Sequence, residues 1–510
     1  MTDHKGRNWF KKLFPKWKYT KMHKSRIVLC LSFFLFCFCV TTWAQEQSPQ
    51  RIITEKLLST NDLLTNAGIT PSPDNKRIAL VSYGTDGSYI SIDGKKAKRY
   101  NSIVESTFSP DSKRFAYAVS EKVKEHMKAS VVVDGIQGKQ YDSAGGLIFS
   151  PNSKRFAYRA RLNNKSFVVV DGVEGKKYDV IWGAISLKFS SDSKKISYFA
   201  STGNKLFLIT DGKVEKQFEF NNMESNDFGF SPDNQHFTYV VKENEKEIAV
   251  IDGKKGKQYD EIDSYKNTPV FLFSPDSKRI AYLARLDDNK QFVVIDGQEG
   301  KQYDGIEMMS MNFSPDSKRF SYVARLGKLN LSVNLAVIDG IEGKRYDGID
   351  VTDGKPPYYN SPVFSPDSKR IAYIALSGGK EFVVIDGVEG KRYDHIQGCS
   401  LVFSPDSKSI AYFAELNSSR LLIINGKENE VHHGLPSDVS PIFSPDSKRV
   451  AYIAELCEQV AECKRFVIVD GTEGKKYDSI ESHIVFDSPG TLRYIAVSGK
   501  NIYSVEERIN

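Results

Sequence analysis

Along most of the chain, apolar runs of four to seven residues alternate with polar turn residues, and the arrangement recurs. In one copy, Phe364-Ser-Pro-Asp-Ser-Lys-Arg-Ile-Ala-Tyr373 is followed by Phe382-Val-Val-Ile-Asp-Gly387 and then by Gly390-Lys-Arg-Tyr-Asp394. The Ser-Pro-Asp block, or a worn form of it, starts at Ser72, Ser109, Ser150, Ser190, Ser231, Ser274, Ser314, Ser365, Ser404 and Ser444, with a degraded copy at 486–490. Steps between copies are 39 to 43 residues, apart from 37 at the first and 51 between Ser314 and Ser365.

Each copy predicts four strands. The run before the block (Leu401 to Ser404 in the next copy) is the first, and Lys369 to Ala375 is a second rich in β-formers. Phe382 to Ile385, apolar throughout, suits a strand buried on both faces, and Lys391 to Asp394 reads as a more polar outer strand. Ser-Pro-Asp-Ser turns the chain between strands one and two, because Pro presets φ and the flanking Ser and Asp bond their own backbone. Asp386-Gly387 opens the hairpin between strands three and four.

A period of about 40 residues with four short strands is the signature of propeller blades. The expected fold is all-β: a β-propeller of about eleven four-stranded blades. The last copy ends without a fourth strand, and 51–58 forms an orphan strand-like run before the first. Pairing the two would close a ring and remove two exposed sheet edges. Eleven blades exceed the usual four to eight, so two rings are favoured over one oversized ring. Residues 350–361, the longest insertion between blades, mark the candidate boundary.

The block Phe-Ser-Pro-Asp-(Ser/Asn)-Lys-Arg-(Ile/Phe)-Ala-Tyr resembles the WD-repeat-like propeller repeat of the TolB type over roughly residues 66–505. That family commonly has Gly where Ser or Asn stands here, a departure that a type I turn tolerates. The resemblance implies the fold and says little of activity, because such propellers serve as scaffolds, receptors and peptidase lids. TolB's own N-terminal α/β domain has no counterpart among the residues between the leader and the first blade.

Residues 1–26 carry nine Lys/Arg against one acid, and 27–40 are uncharged and apolar. The first segment reads as a basic cytoplasmic leader and 27–44 as a signal peptide or membrane anchor, with export of the rest of the chain. Residues 45–65 are a linker with the ring-closing strand, and 66–510 hold the repeats. The leader's net +8 exceeds the +7 of the whole chain, so the remainder carries one net negative charge. That balance argues against nucleic acid as a partner. Membrane contact is expected only through 27–44, if it stays uncleaved.

An Asp repeated in nearly every blade serves the blade rather than a single site, so the Ser-Pro-Asp block is structural. A nucleophile elbow of the form Gly-x-Ser-x-Gly is lacking, and His432-His433 offers two ligands where metals need three or four. No catalytic, metal or cofactor site is expected, and the chain is read as a non-enzyme. Cys457 and Cys463 flank one hairpin and are expected to form a disulfide in an oxidising compartment. The turns at the Ser-Pro-Asp end hardly vary, whereas the opposite end carries differing loops and inter-blade links. Trp182, Tyr265, Met308, Met309, Tyr358 and Tyr359 on those links are the candidate partner-binding residues, since aromatics and Met are enriched at interfaces. The expected function is an exported scaffold that binds a protein or an envelope polymer through its variable end. The alternative is an enzyme, or a small-ligand or glycan receptor, with its site at the channel mouth.

Overall fold

The computed structural model describes residues 51–60, 67–182, 187–219, 229–263, 271–286, 290–327, 332–349, 362–436, 439–459 and 462–510. The basic leader and the expected signal or anchor segment at 27–44 lie outside these residues. Within them the chain is almost wholly β, its one helical turn being the 3-10 segment Gly398–Ser400. Eleven antiparallel sheets follow one another along the sequence around a common axis, and the fold is a β-propeller. Blades 1 to 10 span 67–100, 102–137, 143–174, 180–219, 229–259, 261–299, 305–346, 348–389, 395–431 and 442–473. Blade 11 takes four strands from 479–509 and its outermost strand from Arg51–Thr60 at the other end of the chain.

The local chemistry explains the blade. In the Ser-Pro-Asp turn of blade 8, Ser368 donates its backbone N–H to the Ser365 carbonyl at 2.8 Å. Ser365 Oγ donates to Asp367 Oδ1 at 2.7 Å, which also accepts the Lys369 amide at 3.1 Å. Asp386 and Gly387 both have positive φ, 52° and 83°, as a type I′ hairpin turn requires. The outer strand differs from its expected form. In blade 8 it covers only Val388–Glu389 and breaks at Gly390, and Tyr393 pairs again with Glu381 beyond the break. Gly390 donates its amide to the Val383 carbonyl at 2.9 Å, so close that a Cβ there would lie 3.0 Å from that oxygen.

Blades bury their faces only against each other. One cluster joins Val323, Ala336 and Tyr346 of blade 7 to Ile349, Tyr373, Phe382 and Val384 of blade 8. Another joins Leu58, Ile495, Val497 and Ile502 of blade 11 to Ile78 and Leu80 of blade 1. These contacts correct the ring count: the eleven blades form one ring, not two. A boundary near 350–361 would leave blades 7 and 8 unpacked on each other, yet a continuous buried cluster joins them. The usual blade number is what favours two rings, and no local signal in the sequence sets how many blades one ring takes.

Candidate interaction surface

Each joint between blades is made by the residues that repeat. At the Ser-Pro-Asp end, the turn Asp (Asn152 in blade 3) donates its amide to the Ser Oγ of the following blade. The pairs include Asp74 to Ser112 at 3.1 Å, Asp111 to Ser153 at 2.9 Å, Asp316 to Ser368 at 2.9 Å and Asp367 to Ser407 at 2.9 Å, with four similar joints elsewhere. This accounts for Ser where Gly is common. Ser368 sits at φ 64°, a left-handed conformation that costs a non-glycine residue on the order of 1 kcal/mol. Its hydroxyl satisfies the neighbouring blade's amide in return, so the departure is functional within the ring rather than merely tolerated.

The adjacent Arg completes that end. Arg370 Nε donates to Asp386 Oδ2 at 3.0 Å, its NH1 reaches the Lys408 carbonyl of blade 9 at 3.3 Å, and its guanidinium lies 5.6 Å from the Phe403 ring centre. Farther out, Lys391 Nζ and the Tyr393 hydroxyl both donate to Glu428 of blade 9, at 2.5 and 3.1 Å. Burial pushes the phenols of Tyr141, Tyr259, Tyr393 and Tyr477 up, keeping them protonated as donors. Blade 4 breaks this rule. Val214 stands where the Glu would be, and the buried Tyr178 hydroxyl has no hydrogen-bond partner among the described residues. Val214→Glu is expected to raise stability by about 1 kcal/mol by supplying that acceptor, measured as a shift in the urea midpoint against Val214→Gln and the parent.

The turn carboxylates also set the response to acid. The Ser365 hydroxyl first, then the Lys369 amide, hold Asp367 below its ordinary range, and Asp111, Asp276, Asp316 and Asp406 are held down by equivalent bonds. A depressed native pKa stabilises the fold above the unfolded-state value of about 3.9 and loses that stabilisation as pH falls through the native value. The melting temperature is therefore expected to hold from pH 7 to 5 and to drop steeply below about pH 4. A melting temperature unchanged at pH 3 would contradict this role of the turns.

The opposite end has a staple with no counterpart among the sequence expectations. In blades 2, 3, 6, 8 and 10 the Asp of the Tyr-Asp pair takes a Lys at the start of its own blade's third strand with one oxygen. With the other it accepts a backbone N–H from the hairpin tip of the next blade. Asp142 accepts Lys128 Nζ at 2.6 Å and the Asn163 amide at 2.8 Å; Asp179 accepts Lys165 at 2.5 Å and Gly203 at 2.9 Å. Asp304 joins Lys290 and Gly327 in the same way, and Asp394 joins Lys380 and Asn417. The loops of the variable end are thus presented on a fixed frame.

Among the described residues, exposed large apolar side chains at that end lie on blades 1, 2 and 4. Tyr83 of blade 1 and Val104 and Met127 of blade 2 are 54%, 65% and 51% exposed, and Val180 of blade 4 lies at the same end. Sequence reasoning missed them because none belongs to a cluster of aromatics. Of the residues it singled out, Trp182 is half-buried against Phe199, Phe237 and Tyr239, and its Nε1 donates to Ser201 Oγ at 3.0 Å. Met308 packs beside Phe313 and Tyr322, and Met309 is half-buried in the same strand. Tyr265, Tyr358 and Tyr359 lie outside the described residues. The fold does not bring Trp182 together with Met308 and Met309. Cys457 and Cys463 are joined by a disulfide across their hairpin, with Cα atoms 4.0 Å apart.

Chemistry-bearing groups are dispersed. Among the described residues, Glu455, Cys457 and Cys463 are one trio within metal-binding reach, and both thiols are spent in the disulfide. His433 lies at a bend in the link between blades 9 and 10, where its Nε2 is 2.6 Å from Glu473 and its ring meets Phe466 edge-on. Asp263, in the first strand region of blade 6, is 4% exposed. Burial pushes its carboxyl up while Arg285 and Gln291 each donate to it at 2.6 Å. A cavity of about 1030 Å³ is lined by residues of blades 9, 10, 11 and 1. Phe403, Phe443 and Ile453 line it together with Arg465, Glu481 and His483.

No protein-family model matches the chain, and no curated protein does. Solved structures of similar fold include a eukaryotic initiation factor (13% identity, 70% of this chain and 96% of that one, TM-score 0.38). They also include the β-propeller domain of the Trilobed protease from Pyrococcus furiosus (15% identity, 64% and 96%, TM-score 0.27). TolB from Acinetobacter baumannii matches at 14% identity over 57% of this chain and 78% of its own, with a TM-score of 0.24.

Proposed function

We propose that the chain is an exported, non-enzymatic propeller scaffold that binds a protein or an envelope polymer through its variable end. The observation that carries this reading is the sector of Tyr83, Val104 and Met127, exposed on hairpins and links of blades 1 and 2. Apolar groups on a rigid surface anchor partners at low entropic cost. The disulfide at 457–463 and the apolar run at 27–40 favour an oxidising compartment outside the cytoplasm. The sector takes the place of Trp182 and Met308, which are occupied in packing, while Tyr265, Met309, Tyr358 and Tyr359 stay candidates at the same end.

The experiment is capture from envelope extract by the parent chain and by Tyr83→Ala/Met127→Asp. Bound protein and bound polysaccharide are quantified separately. At least a tenfold loss of one of them is expected, with an unchanged melting temperature. Equal recovery of every bound species would reject the reading. A second reading, a receptor for a small ligand, is favoured by the cavity that blades 9, 10, 11 and 1 line, whose size is at the upper limit of ligand sites. Blocking by Ile453→Trp with no effect on capture separates the two.

A further inference from the structure

The invariant end also bears apolar side chains, in a pattern that no single blade needs. The residue after Asp-Gly is Ile136 in blade 2, Val173 in blade 3, Ile341 in blade 7 and Val388 in blade 8, and these are 75%, 70%, 73% and 71% exposed. Hairpin formation does not require them. The same position holds Lys95, Lys213, Lys254, Gln298, Lys427 and Thr472 in other blades, and those hairpins form equally. The four lie at the Ser-Pro-Asp end, because the adjoining Asp residues take the arginines of those turns: Asp134 with Arg114 at 2.8 Å, Asp386 with Arg370 at 3.0 Å.

Around this end each of several blades also presents an Asp and a Lys two residues apart. Lys318, Lys369, Lys408 and Lys448 are 81% to 83% exposed, with their ammonium groups 3.7 to 3.9 Å from the Asp of the same turn. The two signs are paired within each turn, so these turns bring little net charge to the face.

We propose that this end is the interface of a homodimer in which two rings stack face to face about a two-fold axis. Such an axis, lying in the interface, reverses the order of blades, so that blade k of one ring meets blade m − k of the other. With m equal to 10, blade 2 meets blade 8 and blade 3 meets blade 7. Ile136 then meets Val388 and Val173 meets Ile341, twice over. Blade 5 meets itself on the axis, where the Lys of its turn would oppose its own copy. In that blade the turn Lys is replaced by Gln235, and it is the one full block of the ten in which this happens. The register also sets Lys95 opposite Lys427 and Lys254 opposite its own copy, so moderate salt favours the pair of rings by screening these contacts.

The test is the mass of the full chain in mild detergent and about 0.15 M salt, where charges are screened beyond about 8 Å. Light scattering reads the mass, with Ile136→Asp/Val173→Asp and Ile341→Lys/Val388→Lys as variants. The parent is expected to run as two chains and each variant as one, a twofold fall in mass, with the β-sheet circular dichroism unchanged because the side chains are exposed. Mixing the two variants is expected to restore the mass of two chains. The register sets the carboxylates introduced at positions 136 and 173 of one copy against the amines introduced at 388 and 341 of the other. A parent that is a single chain overturns the proposal. So does a dimer that either variant leaves intact, or a mixture that stays monomeric.

Discussion

Deleting residues 51–60 is expected to open the ring and lower stability by roughly 3–7 kcal/mol, through lost burial of one large side chain and of a charge-assisted contact. Arg51–Thr60 is the outermost strand of blade 11, and its Leu58 is 5% exposed in the cluster that joins blades 11 and 1. Its Glu55 accepts Lys475 Nζ and the Tyr477 hydroxyl of blade 10, each at 2.7 Å. Glu55 therefore stands in for the Glu that blades such as 3, 6 and 9 supply from their own fourth strands. Without it, the 501–509 strand becomes a bare edge and the Tyr477 hydroxyl loses its acceptor. The urea midpoint should fall and proteolysis should begin at the C-terminal strands. Leu58→Ala alone should cost about 3 kcal/mol. If the deletion leaves the midpoint unchanged, closure through this strand contributes nothing.

The second large effect is expected at Asp386. One carboxylate oxygen accepts the Ile371 amide at 2.9 Å and the other accepts Arg370 Nε at 3.0 Å, on a residue at φ 52°. Asp386→Ala removes both bonds and sets Ala in a left-handed conformation, a combined loss of about 2–4 kcal/mol. Blade 9 contains the natural compensation. Asn425 accepts the Ile410 amide at 3.0 Å and donates Nδ2 to Ser409 Oγ at 3.0 Å, with Ser409 in the place of the arginine. Arg370→Ser/Asp386→Asn should therefore cost less than the two single changes added together, and a double-mutant cycle on urea midpoints reads the coupling. Strict additivity would show that the two residues do not act as one joint.

Much of the blade was legible because its signals are local. Ser-Pro-Asp and Asp-Gly turns act within four residues, and an apolar run such as Phe382 to Ile385 marks a strand wherever it occurs. The closing strand was legible for a related reason: a last copy short of one strand and an orphan strand at the start are complementary facts. What remained hidden depends on partners 14 to 52 residues away along the chain. The Ser368 hydroxyl looks like a turn residue until its bond to the amide of Asp316 is seen. Asp394 looks like the end of a strand until it is found holding Lys380 and the amide of Asn417. Trp182 has the look of a surface anchor because large aromatics on links often are, yet its ring is drawn into the joint of blades 4 and 5. Exposed singletons such as Tyr83 and Met127 give no sequence signal, since exposure belongs to the fold and not to the residue.

Zero-length carbodiimide coupling of carboxylates to lysines, read by mass spectrometry of the full chain, tests the single closed ring most directly. The account predicts a Glu55–Lys475 link, which closes blade 10 on the N-terminal strand, together with a Lys344–Glu389 link across the 350–361 insertion. Two separate rings would instead join blade 7 to blade 1 and blade 8 to blade 11. Recovery of those links, with the Lys344–Glu389 link missing, would contradict the eleven-blade ring.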